Sequence, residues 1–207
     1  MVFNNFRRFI LLAASLALVL GSIPTPALAY ATDAYSPPGT DLTQFVETVK
    51  NGQAGVTGVF VQGVMAQPVF PQPIDNSSYV SADENAVTQF GLASKYNNVG
   101  LLAHNTLAGE NFFDLTLDQH IQLVYGTGRV ETFSVTQILK YQALDPDSPY
   151  SDFKDLDTGV TLNAEQLFYN VYTGDYHLTL QTCIPRDGND NWGRLFILAK
   201  PIIPQAD

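Results

Sequence analysis

Apolar and polar residues alternate with a period of two over much of this chain, and with the period of a helix in only two short stretches. The clearest alternation is Leu178-Thr179-Leu180-Gln181-Thr182-Cys183. Two further runs, residues 120–125 and 129–140, flank Gly126-Thr127-Gly128 and read as a hairpin. Within the second, Val130, Thr132, Ser134 and Thr136 alternate against Glu131, Phe133, Val135 and Gln137. Residues 56–64 form an apolar run broken by Gly58 and Gly63, which predicts a strand. Pro68 and Pro71 then confine the next extended stretch to an edge or a bend. Residues 99–103 are short and wholly apolar, as in a buried strand, and residues 194–199 predict the last strand. Between Cys183 and that last strand, Asp187-Gly188-Asn189-Asp190-Asn191 reads as a turn-rich loop.

The helical exceptions carry their own punctuation. Residues 41–50 form one predicted helix, with Asp41 as its cap, Phe45 and Val46 on its apolar side, and Asn51-Gly52 as its stop. Residues 163–172 predict a helical turn or two, with Asn163 and Gln166 at capping-box spacing. Residues 74–98 are polar and irregular, and residues 144–158 form an acidic loop holding Asp145, Asp147, Asp152, Asp155 and Asp157. No internal repeat is present. Many short strands with few helices predict a mainly β domain, a small closed barrel or a sandwich.

The N-terminus reads differently. Arg7 and Arg8 precede an apolar run over residues 9–21, and Ala27-Leu28-Ala29 has the small-x-small form of a cleavage site. The run would span roughly 20 Å as a helix, short of the ~30 Å hydrocarbon core. We therefore expect a cleaved export signal over residues 1–29 rather than a retained anchor. A poorly ordered tether over 30–40 and one domain over 41–207 are expected to follow. The protein is then exported, to an extracellular, periplasmic or cell-surface location.

Composition narrows the function. At 45% hydrophobic and 14% charged residues the chain is no disordered polymer, and its 13 Phe and 10 Tyr suit a β fold. A net charge of −10 argues against nucleic acid as a partner. A single cysteine excludes an intrachain disulfide framework and a Cys-cluster zinc site. An exported lone cysteine is buried and inert, an intermolecular bridge, or a working thiol.

As a working thiol, Cys183 needs a base or a cation beside it, because the thiolate is the reactive form. Three histidines are available. His177 shares the predicted strand and parity of Cys183, but six strand residues separate them by roughly 20 Å. His120 opens a strand and reads as an ordinary edge residue. His104 ends the apolar run 99–103 and precedes the polar Asn105-Thr106, a strand-to-loop position where a polar side chain is both held and open. Arg194 follows Cys183 on the next predicted strand, and a ten-residue loop would let two antiparallel strands bring them together. Arg186 lies in the loop and reads as a solvated charge.

These residues carry a resemblance. Thr179-Leu180-Gln181-Thr182-Cys183 resembles the Thr-Leu-x-Thr-Cys strand of the sortases. Trp192-Gly193-Arg194-Leu195-Phe196-Ile197-Leu198-Ala199 resembles the strand bearing their essential Arg. Leu102-Ala103-His104-Asn105 resembles their Gly-His strand end, with Ala103 where the family usually has Gly. The order His, Cys, Arg is also theirs, and the resemblance spans about residues 57–200.

The resemblance implies a closed β-barrel of about eight strands with a few short helices. It implies a cysteine transpeptidase, with Cys183 attacking a Thr-Gly-like bond of a sorting signal to form a thioacyl-enzyme. His104 would protonate the departing amine, Arg194 would hold substrate and stabilise the oxyanion, and Thr182 and Trp192 would bind substrate. An amine on a cell-surface polymer or protein, or water, would resolve the intermediate. The position of the acidic loop raises the question of calcium, but Asp145-Pro146-Asp147-Ser148-Pro149 lacks the spacing and the Gly of an EF-hand. We expect no cofactor and a monomer. The alternative is a non-catalytic exported barrel that binds a peptide or glycan. An L,D-transpeptidase would place its Cys in a Ser-Gly-Cys turn, and a papain-like enzyme would have its Cys before its His; neither pattern is present.

Overall fold

The computed structural model describes residues 41–203. The expected export signal and tether lie outside the described residues. Three α-helices, α1 (Leu42–Val49), α2 (Gly91–Ser94) and α3 (Ala164–Tyr172), and one 3-10 helix (Ala108–Asp114) accompany ten strands. The strands are β1 (Val56–Val61), β2 (Met65–Pro71), β3 (Val87–Gln89), β4 (Val99–Leu102), β5 (His120–Tyr125), β6 (Val130–Ala143), β7 (Phe153–Asp155), β8 (Thr161–Leu162), β9 (Leu178–Arg186) and β10 (Asn189–Pro201).

All ten strands form one sheet in the order β10-β9-β4-β3-β2-β1-β5-β6-β7-β8, and β10 also pairs with β6. That last pairing closes a ring from β10 through β9, β4, β3, β2, β1 and β5 to β6. The architecture is therefore a closed eight-stranded barrel with a few short helices, and β7 and β8 extend outward from β6. Closure rests on two long strands. β10 pairs with β9 on one side and with β6 on the other, from Gly193↔Gln142 to Pro201↔Phe133.

Two-residue alternation sorts side chains between the barrel interior and its outer face. Val99, Leu101 and Ala103, then Leu178 and Leu180, then Leu195, Ile197 and Ala199 point inward with Val59, Val61, Ile121, Leu123, Phe133 and Val135. Each such Leu, Ile or Phe contributes on the order of 1.5–3 kcal/mol by leaving water. Two smaller apolar layers cover parts of the outer face. Phe45 and Val49 of α1 pack against Phe60, Ala66 and Val124. Leu167, Val171 and Tyr172 of α3 pack against Tyr141, Phe153, Phe196 and Leu198.

Both expected helices form with the expected caps. Asp41 accepts from the Thr43 N–H, and Asn163 and Gln166 make a complete capping box. Four expectations need correction. The stretch with Pro68 and Pro71 is not an edge, because β2 lies between β1 and β3. Pro68 is tolerated because it faces Gly58 of β1 while the β3 pairing begins only at Val69. The irregular stretch 74–98 contains β3 and α2, since three extended residues suffice when strands on both sides supply the ladder. The acidic loop contains β7, anchored by the buried Phe153.

The fourth correction bears on the site. The ten-residue loop between Cys183 and Arg194 is instead the end of a long hairpin. Asp187 (φ 53°) and Gly188 (φ 79°) both occupy the left-handed region, and Arg186 pairs with Asn189. This is the two-residue turn in which Asp-Gly is favoured, because its twist matches that of the strands it joins. The polar run after it reads as loop in the sequence, yet it is strand with a register shift between Asn189 and Gly193.

Candidate active site

The β9–β10 register decides the first contact. Cys183 and Arg194 are Cα partners across the antiparallel ladder, so their side chains leave the same face of the sheet. That face is the outer one, since Thr182 and Leu195 on the flanking positions are buried and turn into the barrel. Arg194 is held by its own strand. Its Nη1 donates to the carbonyls of Asn191 (2.9 Å) and Gly193 (2.8 Å), and its guanidinium lies 5.8 Å from the centre of the Phe153 ring. No carboxylate pairs with it among the described residues. Nε and Nη2 remain as donors.

Cys183 is half-buried and reduced. Burial pushes its thiol above the usual range, the positive Arg194 pulls it partway back, and Asp190 adds to the upward push. The resting thiol is therefore protonated near neutral pH, and nucleophilic chemistry needs a proton acceptor close by.

The β4–β9 pairing places the third member. β4 runs parallel to β9 with Leu102 beside Gln181, and the Ala103 N–H donates to the Gln181 carbonyl at 3.2 Å. The ladder ends there, and its register extended by two residues would set His104 level with Cys183. His104 is exposed, and its carbonyl accepts from the N–H groups of Leu107 and Gly109, which turns the chain out of the sheet there. Asn105, next along, donates from Nδ2 to the Asp190 carbonyl at 3.1 Å and so ties the His104 loop to β10. The other two histidines are elsewhere. His177 is buried with Nδ1 2.7 Å from the Asp175 carbonyl and Nε2 3.0 Å from that of Val171. His120 pairs with Ser134 in the β5–β6 ladder.

Thr182 and Trp192 do not take the places expected of them. Thr182 is 2% exposed and points into the barrel, where its hydroxyl donates to the Ala103 carbonyl at 2.9 Å. Alternation turns it away from the face that carries Cys183. It positions the end of β4 and with it His104; it is not a surface a peptide can touch. Trp192 is half-buried, with the Arg186 guanidinium 4.7 Å from the ring centre. It does not line the groove described next.

A groove of about 350 Å³ opens on the same outer face. Its wall includes Leu102, Gln181, Arg194 and Phe196 from the sheet, and Phe168 and Tyr172 from α3. Arg194 is the member of the trio that lines it, while Cys183 stands two residues beyond Gln181 on the same strand face. The sequence reading passed over Gln181, Phe153 and Tyr172. Gln181 was accessible to it, since it shares the parity of Cys183. The α3 residues were not, because their approach to β9 is made only in the fold. A second cavity of about 560 Å³, lined by Tyr141, Asp155 and Asn170 among others, shares no residue with the groove. Among the described residues no three His, Cys, Asp or Glu side chains converge as a metal site. No described helix is long and apolar enough to cross a membrane.

No family model and no curated protein matches the chain. Among solved structures it is similar to sortase A of Listeria monocytogenes, at 15% identity and a TM-score of 0.47 over 73% of this chain and 89% of that one. It is similar to the sortase D5 transpeptidase of Clostridium perfringens, at 17% identity and a TM-score of 0.46 over 77% and 86%. It is also similar to sortase C of Streptococcus pneumoniae, at 15% identity and a TM-score of 0.47 over 81% and 76%. The closed eight-stranded barrel of this chain is read from its own strand pairings.

Proposed function

We propose that this protein is an exported cysteine acyltransferase of the sortase type, acting on a peptide substrate at the cell surface. The observation that carries the reading is the single rung formed by Cys183 and Arg194, with Arg194 lining a groove on the same face. A nucleophile and a free guanidinium edge on one rung can address one carbonyl together. The order His104, Cys183, Arg194 and the Thr-Leu-x-Thr-Cys strand support it further.

The chemistry follows from these groups. His104 accepts the Cys183 proton, and the sulfur attacks a peptide carbonyl to form a C–S bond. Arg194 stabilises the developing oxyanion through Nε and Nη2. Collapse breaks the C–N bond, His104 gives its proton to the departing amine, and a thioacyl-enzyme remains. An incoming amine or water, deprotonated by His104, then displaces the sulfur. Division into two acyl transfers lowers the barrier of each.

The test is intact-mass detection of a thioacyl adduct after incubation with a peptide library. We expect an adduct in the wild type, none in Cys183→Ala, and losses of at least a hundredfold in His104→Ala and Arg194→Ala, the range for general acid–base and oxyanion groups of roughly 10²–10⁴. Turnover retained by Cys183→Ala would overturn the mechanism. The burial that pushes the thiol up favours one other reading, a barrel that binds peptides without cleaving them. It predicts peptide binding without any adduct.

A further inference from the structure

Tyr172 is buried in the groove wall at 3% exposure, with the Phe90 ring 5.1 Å, the Phe168 ring 5.4 Å and the Phe196 ring 6.3 Å from it, centre to centre. Its hydroxyl donates to Gln181 Oε1 at 2.5 Å. Burial pushes this phenol far above its usual range, so it stays protonated and stays a donor. A buried O–H among aromatic rings needs an acceptor, and leaving it without one costs about 1–3 kcal/mol. The Gln181 oxygen is that acceptor. The opposite orientation of the amide would present N–H to the phenol and strand the phenol hydrogen. Tyr172 thereby fixes which way the amide faces.

The amide nitrogen is left over. Gln181 Nε2 has no hydrogen-bond partner among the described residues, and it is not among the buried unpartnered atoms. Gln181 lines the groove, two residues before Cys183 and on the same face of β9, a separation of roughly 7 Å. The groove wall is mostly apolar; besides Gln181 its polar side chains are Ser77, Ser78, Tyr172 and Arg194. A few oriented polar groups in a mostly apolar wall are how pockets fix the register of a ligand.

We propose that Gln181, locked by Tyr172, is a register-setting donor that binds a main-chain carbonyl of the acyl segment, about two residues before the scissile bond. An extended peptide lying along β9 has the same two-residue repeat of roughly 7 Å, so engaging this donor sets the scissile carbonyl level with Cys183. The proposal rests on the acyltransferase reading but is separable from it.

The experiment uses the full protein at pH 8 with a library of extended peptides, and Gln181→Glu as the main variant. A glutamate carboxylate still accepts from Tyr172, so the wall keeps its packing, but it has no hydrogen to give. We expect KM for acylation to rise about tenfold, by a similar factor for every peptide sequence, the scale of one lost hydrogen bond. Cys183 labelling by a small methanethiosulfonate reagent is expected to stay at the wild-type rate in the uncharged Gln181→Leu and to slow in Gln181→Glu, whose carboxylate disfavours the thiolate as that of Asp190 does. Gln181→Leu is expected to match Gln181→Glu in KM, and Tyr172→Phe, which frees the amide to rotate, to give a smaller rise. An unchanged KM in Gln181→Glu would overturn the proposal and leave the acyltransferase reading standing. A loss confined to peptides with one polar side chain would overturn it too, because the partner would then be a side chain. The same peptides are titrated into Cys183→Ala with and without Gln181→Glu. Gln181-dependent binding without any wild-type adduct would support the donor and overturn the acyltransferase. Absence of binding and of adduct would overturn both.

Discussion

Cys183 and Arg194 are Cα partners on one rung of the β9–β10 ladder, and this pairing sets a guanidinium beside a half-buried thiol. The hairpin register that sets it follows from a two-residue turn at Asp187-Gly188 and a shift between Asn189 and Gly193. A slip of one residue would turn Arg194 into the barrel and leave Cys183 facing burial alone.

The charges around the sulfur predict opposite effects of two substitutions. Arg194 favours the thiolate, so Arg194→Gln moves the thiol further up. Asp190 disfavours the thiolate, so Asn in its place moves the thiol down. Iodoacetamide alkylation followed from pH 6 to 10 reads this directly. At pH 8 we expect Arg194→Gln to react several-fold slower than wild type and Asp190→Asn faster. Identical profiles in all three proteins would show that neither charge reaches the sulfur.

Thr182 and Gly109 form the clamp under His104. The Thr182 hydroxyl donates to the Ala103 carbonyl, and a Cβ on Gly109 would run into that hydroxyl and lie 2.8 Å from the carbonyl oxygens of Ala103 and His104. Thr182→Val leaves the carbonyl unpaired, and we expect a loss of about 1–2 kcal/mol in urea unfolding. Gly109→Ala overpacks the same place and is expected to cost about 1–3 kcal/mol. Both should slow adduct formation while leaving Cys183 open to small reagents, and Thr182→Ser should restore most of the loss.

The α3 wall depends on its first turn. Asn163 accepts from the Gln166 N–H at 2.8 Å and Gln166 Oε1 accepts from the Asn163 N–H at 3.0 Å. Asn163→Ala removes the cap and is expected to cost about 1 kcal/mol. Hydrogen exchange should quicken in α3 before it does in β9 or β10.

The other end of α3 is tied by His177. With both ring nitrogens at hydrogen-bonding distance from main-chain carbonyls, one of them Val171 of α3, the ring joins the helix end to the start of β9. Thr179 adds a second tie, its hydroxyl donating to the same Val171 carbonyl at 2.6 Å. His177→Ala should lower stability by about 1–3 kcal/mol in urea unfolding and leave the Cys183 alkylation profile unchanged. A changed profile would give this histidine a part in the thiol chemistry.

Much of this was determined locally. Period-two runs marked β5, β6 and the core of β9, because alternation records which face of a strand meets the interior, and a short wholly apolar run marked β4. Asp41 and the Asn163–Gln166 pair marked both capped helices, because a cap is satisfied within four residues. The candidate residues His104, Cys183 and Arg194 were legible as strand-end and strand positions in a fixed order. Other features were decided only by the closed barrel. β3 and β7 are three residues each and exist because neighbouring strands supply their ladders. Asn189 to Asn191 are polar enough to read as loop, yet the hairpin turn draws them into β10. Thr182 lay within the right motif, but parity turned it inward, away from substrate. The pairing of Tyr172 with Gln181 joins a helix face to a strand face, and no local pattern encodes how those two faces meet. Side-chain direction along one strand is a property of the chain; which other element lies opposite is a property of the closed sheet, and the proposed site is built from the second.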